Sequence, residues 1–381
     1  LLVSCALFLF SGTAFAENLL VTKTSGGVDE EGTLPYVVAN APGGSVIELS
    51  IGDETTVTIP ETILIDKNLT IDGKGKTISV AEPGVSNYRI FKIGLYEPED
   101  GAELISLTLK NCTLYGGDGT ALVDTETTMA TWSATILVGK NLIFEKAKNG
   151  YAAGIMACGD ITLTNCIFKG LSGTSAGGAL YTNSGVTGRF TGCTFENNTN
   201  TTHGGAVACS GSTNYFTDCV FTGNTVTGAK SDGGAIFLQK AGASAEIVNC
   251  TFTQNSTTRY GGAISQKNDI ATNGVLTIKN STFTQNKSTA AKGGGGALLT
   301  WMGDVTVENC SFEGNAVEGS GGSGGAWYAS MTAADINSCK VSNTYFGENT
   351  CTAHGGAILA KVPDGVFTNC TFYKNVGGTG G

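Results

Sequence analysis

Charged residues, and basic residues above all, are scarce in this chain of 381 residues. Only 14% of the residues are Asp, Glu, Lys or Arg, and the formal net charge is −10. Among the 22 basic residues the arginines are Arg89, Arg189 and Arg259. A protein that binds nucleic acid needs a basic face to neutralise phosphates. The composition therefore argues against nucleic acid as a partner.

Proline and paired cysteines are also rare. The 6 Pro residues are too few for a Pro-rich disordered stalk. The 12 Cys residues include no Cys-x-x-Cys pair, so the sequence offers little support for a zinc site. The sequence contains no phosphate-binding loop, nucleophile elbow or His-Glu-x-x-His motif. Glycine, by contrast, is abundant: the 56 Gly residues are about twice the usual share.

The first residues, Leu1 to Ala16, are apolar and end in small residues at Ala14 and Ala16. This pattern predicts a secretory signal peptide over residues 1–16. A transmembrane anchor is the alternative, but the apolar run is shorter than the ~20 residues that a spanning helix needs. We expect the sequence to be a fragment truncated at both ends, because it lacks an initiator Met and stops inside a repeat.

One sequence motif, here called the phrase, recurs through the second half of the chain. It consists of a Phe, two residues, an Asn, a variable stretch, and then Gly-Gly-Ala with an apolar residue. Successive Phe residues are 26 to 34 positions apart, from 26 between Phe195 and Phe221 to 34 between Phe312 and Phe346. A constant motif separated by spacers of variable length predicts one structural unit that is stacked many times. The Phe and Asn residues expected to hold these units together are Phe195, Asn198, Phe221, Asn224, Phe252, Asn255, Phe283, Asn286, Phe312, Asn315, Phe346, Asn349, Phe372 and Asn375.

The residues around each Phe predict short strands. Val305 and Val307 alternate with polar residues, and Cys310 and Phe312 continue the alternation in the opposite phase after Asn309. Alternation is typical of half-buried strands, and Asn tolerates the left-handed backbone of a tight corner. Gly-Gly-Ala begins a third strand, so each unit of about 30 residues supplies three strands and three corners. The predicted fold class is all-β: a right-handed parallel β-helix, with an N-terminal cap.

The N-terminal part is less regular. Residues 33–40 predict a short amphipathic helix with Pro near its start, and an exposed solenoid end needs such a cap. We assign residues 17–60 to the cap and first strands, and residues 61–381 to the β-helix, with regular repeats from about 161. Two segments, 96–101 and 116–132, interrupt the pattern and are expected to bulge outward as loops.

Six cysteines share one position of the phrase, two residues before the Phe or its equivalent: Cys166, Cys193, Cys219, Cys250, Cys310 and Cys370. Ser281 and Thr344 take this position in two repeats. Ser and Thr replace a small buried side chain but not half of a disulfide. The pattern therefore indicates inward-facing free thiols that pack as small hydrophobes. Disulfides between coils, metal sites and cross-links formed after export remain the alternatives.

Phe-x-x-Asn combined with Gly-Gly-Ala and Ile, Leu or Val resembles the repeat of the polymorphic outer-membrane proteins of chlamydiae. The paired motif covers roughly residues 161–381. The resemblance implies a β-helical passenger that is exported as an autotransporter and takes part in adhesion to host cells. It also implies association with the outer membrane through a C-terminal region beyond this sequence.

Parallel β-helices also carry polysaccharide lyases and glycoside hydrolases, whose grooves need clustered acids. This chain has no Asp-Asp pair and no Arg-x-Lys, and its two histidines, His203 and His354, precede Gly-Gly five coils apart. The predicted protein is secreted or exposed on the cell surface, adhesin-like, and without catalysis, metal or cofactor. Its loops are expected to bind a glycan or protein ligand on a host cell or another surface. A polysaccharide-active enzyme and a structural envelope protein remain the alternatives.

Overall fold

The structure is a computed structural model, and it describes residues 18–82, 88–94, 104–116, 129–131, 135–267, 274–301, 303–330, 338–362 and 365–380. Over these residues the chain winds into stacked coils whose strands pair in parallel with those one coil away. The predicted all-β, right-handed parallel β-helix is confirmed. The predicted signal peptide, residues 1–16, lies outside the described residues, and the division at residue 60 stays a prediction.

Among the described residues, three parallel sheets, here called A, B and C, follow the axis of the helix with 22, 11 and 8 strands. The strands of sheet A are Asn18–Val21, Val46–Leu49, Thr56–Ile59, Leu69–Val80, Ile105–Tyr115, Thr135–Glu145, Asp160–Thr164, Ile167–Lys169, Thr187–Thr191, Thr194–Glu196, Thr213–Thr217, Val220–Thr222, Ser244–Val248, Thr251–Thr253, Val275–Lys279, Thr282–Thr284, Asp304–Glu308, Ser311–Glu313, Cys339–Ser342, Tyr345–Gly347, Gly365–Thr368 and Thr371–Tyr373. Those of sheet B are Ile63–Ile65, Phe91–Ile93, Met129–Thr131, Ile155–Ala157, Leu180–Thr182, Val207–Ser210, Ile236–Gln239, Ile264–Gln266, Leu298–Thr300, Trp327–Ser330 and Ile358–Lys361. Those of sheet C are Lys148–Asn149, Ser172–Gly173, Thr199–Asn200, Thr225–Val226, Ser256–Thr257, Lys287–Ser288, Ala316–Val317 and Thr350–Cys351.

A regular coil contains four strands rather than the predicted three. Asp304–Glu308 and Ser311–Glu313 belong to sheet A and flank the corner at Asn309, whose φ is 53°. Ala316–Val317 then joins sheet C, and Trp327–Ser330 joins sheet B. The sequence did not indicate the strand of sheet C, because two residues are too few to show a period.

The phenylalanines of the phrase form a continuous stack inside the coils. Neighbouring ring centroids are 4.5 to 5.1 Å apart and the ring planes differ by at most 10°. The stack extends from Phe144 to Phe372 and therefore begins two coils before Phe195. Phe252 is fully buried, whereas Phe372 on the last described coil is 53% exposed. Each buried ring stabilises the fold by about 1.5–3 kcal/mol.

The asparagines of the phrase form a second column, next to the rings. Asn286 Oδ1 accepts hydrogen bonds from the backbone N and from Nδ2 of Asn255, each at 3.0 Å. Asn286 Nδ2 donates to Oδ1 of Asn315 at 3.0 Å and to the carbonyl of Phe252 at 2.9 Å. The Asn286 amide thus uses both donors and both lone pairs while it is completely buried. Equivalent bonds join Asn198 to Asn375.

Glycine is required at the two positions of Gly-Gly-Ala for different structural reasons. Gly233 has a φ of +70°, a left-handed conformation that a β-carbon disfavours. Gly234 lies directly under the carbonyl oxygen of Gly262 on the next coil, and an added β-carbon would collide with it. The first glycine therefore makes the turn, and the second allows the coils to approach each other.

The shared cysteine position also lies inside. Cys250 Sγ donates to the carbonyls of Phe216 at 3.4 Å and Val248 at 3.3 Å. Ser281, one coil later, donates through Oγ to the carbonyl of Lys279 at 2.8 Å, and accepts from the backbone N of Cys250 at 3.0 Å. Thiol and hydroxyl therefore fill the same place, and the described cysteines are free thiols.

The N-terminal cap is the helix Leu34–Asn40, as predicted. Thr33 Oγ1 caps it by accepting from Tyr36 N at 3.3 Å, and Pro35 lies in the first turn. The predicted loop 116–132 is wrong at its end, because Met129–Thr131 is a strand of sheet B. Most of that segment, and all of the predicted loop 96–101, lies outside the described residues.

Candidate ligand-binding surface on sheet B

The residues that define the repeat do not face the solvent. From Phe195 to Asn349, every Phe and Asn of the phrase has no exposed surface, and Cys166, Cys193, Cys219, Cys250 and Cys310 are buried. At the last described coil, Phe372 is exposed and Cys370 is partly exposed. A molecule in solution therefore meets the corners, the loops and the outward sides of the strands along most of the coils.

One column, here called the outward column, passes through the residues directly before Gly-Gly; His203 and Tyr260 are partly exposed, whereas Asp232, Gly294 and Ser323 are buried. His203, Asp232, Tyr260, Gly294 and Ser323 pair with one another from coil to coil. The Phe and Asn columns each repeat one residue type, but this column has a different residue type at every coil. Between Asp232 and Ser323, the column brings a charged residue and an aromatic residue, Asp232 and Tyr260, next to each other beside sheet B.

Asp232 is a carboxylate without exposed surface that is surrounded by two cations. Arg259 donates to it through Nε at 2.9 Å and through Nη2 at 2.5 Å. Lys267 places its Nζ 3.6 Å from Oδ2 of the same carboxylate. The hydrogen bonds that Arg259 donates to Asp232 raise the pKa of the guanidinium. One carboxylate and two cations leave an excess of one positive charge at this place.

Three partly exposed aromatic rings surround the two cations. The Tyr260 and Trp301 centroids are 6.0 Å apart at an interplanar angle of 78°, and the Tyr260 and Tyr328 centroids are 6.1 Å apart at 48°. Arg259 lies over the Tyr260 ring at 4.9 Å, and Lys267 lies over the Trp301 ring at 5.0 Å. We call Asp232, Arg259, Tyr260, Lys267, Trp301 and Tyr328 the aromatic–cation patch.

Gly294 makes this arrangement possible. It stands in the outward column between Tyr260 and Ser323 and has no side chain to occupy the space. The Tyr328 ring fills that space, and a β-carbon on Gly294 would collide with its Cδ1 atom. Tyr328 can therefore reach back across one coil to the ring of Tyr260. Partial burial raises the pKa of the Tyr260 phenol.

His203 lies beside the patch and supports it. Its ring stacks on Phe237 with a centroid separation of 4.3 Å, and its Nδ1 accepts from the backbone N of Asp232 at 3.3 Å. The sequence suggested no role for this histidine beyond filling a loop end. The structure instead shows that it fixes the backbone that carries Asp232.

Single acidic residues elsewhere in the coils have local structural partners. Asp160 Oδ1 accepts from Thr187 N at 2.7 Å, and Asp304 Oδ1 accepts from Ser338 Oγ at 3.0 Å. Within the part of the chain that the structure describes, no group of three or more His, Cys, Asp or Glu residues could hold a metal ion. A pocket of about 710 Å³ lies away from the patch, beside the N-terminal cap, and Leu19, Lys23 and Tyr36 contribute to its walls.

The sequence analysis missed the patch. Asp232 is an isolated acid in the sequence, and Arg259 follows it by 27 positions. The available signal was the repeat itself, because residues one repeat apart lie side by side in a solenoid. Aligning the repeats on Gly-Gly-Ala places Asp232 next to Tyr260. The reach of Lys267 and the backward turn of Tyr328 depend on side-chain conformation, which the alignment does not contain.

Comparisons with known proteins agree with the geometry of the coils. Residues 99–275 match the family model described as "Right handed beta helix region". This match agrees with the right-handed parallel β-helix fold of the described residues. Residues 343–361 match the model of the "Chlamydia polymorphic membrane protein (Chlamydia_PMP) repeat".

A solved structure with a similar course is the Azotobacter vinelandii mannuronan C-5 epimerase AlgE6 A-module. The identity is 11% and the TM-score is 0.39, and the match covers 88% of this chain and 92% of that chain. No curated protein sequence matches the chain significantly. Among the described residues, no helix is both long and apolar enough to cross a membrane.

Proposed function

We propose that this chain is the β-helical part of a secreted or cell-surface protein that binds a ligand through its outer face, an adhesin-like passenger. The polymorphic membrane protein repeat supports a place at the bacterial outer membrane or outside the cell. The observation that carries the binding role is the aromatic–cation patch. Trp, Tyr and Arg are the residues that most often dominate binding energy at protein interfaces.

Within each coil, one set of residues stabilises the fold and another set faces outward, and this separation supports a binding role. The repeated Phe, Asn and Gly residues stabilise the stack, so the outward residues are free to differ from coil to coil. A stack of rings and amides also gives the outward residues a rigid base. Rigid placement lowers the ordering cost that a binding surface otherwise incurs when it meets a ligand.

The geometry of Asp232 favours binding over catalysis. A general acid or base must exchange a proton with the substrate and must reach it. Asp232 has no exposed surface, and both of its oxygens accept from Arg259. It therefore serves to hold the two cations in place, and the groups that a ligand can touch are the rings and the cationic side chains.

Cell binding tests the proposal. Fluorescently labelled chain is incubated with epithelial cells, and bound protein is measured by flow cytometry across a concentration series. We expect saturable binding that falls at least fivefold in the double variant Trp301→Ala, Tyr328→Ala. The matched control is Tyr215→Ala, which removes another ring under an arginine, with Arg189 Cζ 4.5 Å from its centroid, on sheet A.

Circular dichroism and a urea titration establish that each variant is folded before it is compared. Binding that the control reduces as much as the double variant would show that the patch has no special role. Absence of saturable binding to any cell or surface tested would overturn the adhesin-like function itself.

A further inference from the structure

We infer that the aromatic–cation patch is a binding site for an acidic saccharide, a glycan unit that carries a carboxylate on a pyranose ring. This inference rests on the proposed function and specifies its ligand. Three features of the patch lead to this class: its excess positive charge, its unused hydrogen-bond donors, and the shape formed by its rings.

The charge of the patch is opposite to that of the chain. The chain as a whole carries −10, yet Arg259 and Lys267 exceed Asp232 by one positive charge. A simple Asp–Arg pair would be neutral, so Lys267 is the residue that makes the place attractive to an anion. A free carboxylate on the ligand would approach Lys267 and Arg259 from the solvent side, since both side chains are about one quarter exposed (25% and 24%).

Arg259 retains donors that a ligand can use. A guanidinium has five N–H groups in a fixed plane. Arg259 uses one on Nε and one on Nη2 for Asp232, which leaves three for other acceptors. Because Asp232 and the Tyr260 ring hold the guanidinium, little side-chain freedom is lost when a ligand binds. Planar groups of this kind match the geometry of a carboxylate.

The rings favour a sugar over an apolar peptide side chain. Trp301 stands nearly perpendicular to Tyr260, and Tyr328 is tilted by 48° relative to Tyr260, so three partly exposed rings lie close together in different orientations. A pyranose ring has one face of C–H groups that can lie on an aromatic ring, while its hydroxyls point to the rim. Tyr and Trp combine an apolar face with a polar group, which suits such an amphipathic ligand.

The size of the patch corresponds to a short oligosaccharide. Its residues come from four consecutive coils, from the coil of Asp232 to that of Tyr328. Three steps of ~4.8 Å between coils make about 14 Å along the axis. Because Tyr328 turns back until its ring centroid is 6.1 Å from that of Tyr260, a glycan chain lying along this axis would meet the cations and the Tyr328 ring close together.

The probe for the test is hexagalacturonate, with its fully methyl-esterified form as the neutral counterpart of the same sugar. Both are titrated into the whole chain by calorimetry at low salt. We expect the acid form to bind at least fivefold more tightly than the ester, and this preference to shrink as salt screens the charges. Lys267→Gln should abolish most of the preference, and Trp301→Ala should weaken both forms. Tyr215→Ala should change neither.

The outcomes separate this inference from the proposed function. Equal binding of the acid and the ester would overturn the acidic class and leave a glycan-binding surface. Binding of neither form, together with cell binding that depends on Trp301 and Tyr328, would overturn the saccharide and leave a binding surface for another ligand, such as a protein. A preference for the acid that Lys267→Gln leaves intact would place the anion elsewhere and would also overturn the inference.

Discussion

Asn286 accepts both the backbone N–H and the side-chain N–H of Asn255, each at 3.0 Å, with a single buried oxygen atom. This bond pattern explains why the phrase requires Asn rather than another polar residue. An aspartate would accept the same two bonds but could not donate to the carbonyl of Phe252, and it would bury a charge. A leucine would leave all of these groups without partners.

Replacing Asn286 by alanine should lower the free energy of unfolding by about 2–4 kcal/mol, because buried donors of Asn255 and the carbonyl of Phe252 lose their partner. Urea unfolding monitored by circular dichroism measures the change. Gln254→Asn is the matched control, since the exposed Gln254 Nε2 and Gln285 Oε1 join the same two coils at 3.1 Å. The control should change stability by no more than about 0.5 kcal/mol. Equal effects of both variants would contradict the role of burial.

Phe252→Ala should destabilise the fold by about 3–5 kcal/mol, because it leaves a cavity in a fully buried stack. Phe372→Ala removes a ring from the same stack where it is 53% exposed, and should cost less than half as much. The urea midpoints of the two variants give the comparison. An unchanged midpoint for Phe252→Ala would count against the stacked column.

Gly234→Ala should prevent close stacking of neighbouring coils, since its β-carbon would meet the carbonyl of Gly262. We expect a loss of at least about 2 kcal/mol, as for other overpacked interiors. Gly43→Ala is the control, because no atom lies within 4 Å of the position of its added β-carbon. Thermal unfolding should show a lower midpoint for Gly234→Ala alone, and a tolerated Gly234→Ala would refute the close approach.

Alkaline pH should weaken the fold through the buried thiols. Burial raises the pKa of Cys310 from 9.0 to about 11. A group with a raised pKa in the folded state stabilises fully below its unfolded pKa, and loses that contribution as the pH rises to the folded pKa. The loss from Cys310 therefore falls between about pH 9 and pH 11.

Cys310→Ser removes this titration, and the hydroxyl should fit because Ser281 occupies the same position elsewhere. Unfolding free energies measured from pH 8 to pH 11 should decline less steeply for this variant than for the unaltered chain. Alkylation by iodoacetamide at pH 8 gives a second readout, since the partly exposed Cys370 should react well before Cys310. Parallel pH profiles for the two proteins would show that the thiol does not contribute.

Much of the fold followed from the sequence because a solenoid interior repeats its chemistry. Phe252 and Phe283 lie one repeat apart, and their rings are stacked 4.7 Å apart in the structure. Asn309 was expected at a left-handed corner, and its φ of 53° agrees. The strands of sheet C were missed, because two residues carry no periodic signal.

The sequence by itself determined that the chain forms coils, how many residues each coil contains, and which residue types fill the buried columns. Each of these properties depends only on local alternation and on stacking of like residues. The tertiary structure alone decided which outward residues meet. Arg259 reaches Asp232 one coil back, Lys267 reaches the same carboxylate, and Tyr328 turns into the space left by Gly294. Outward residues do not repeat, so their contacts depend on the register between coils and on side-chain conformation.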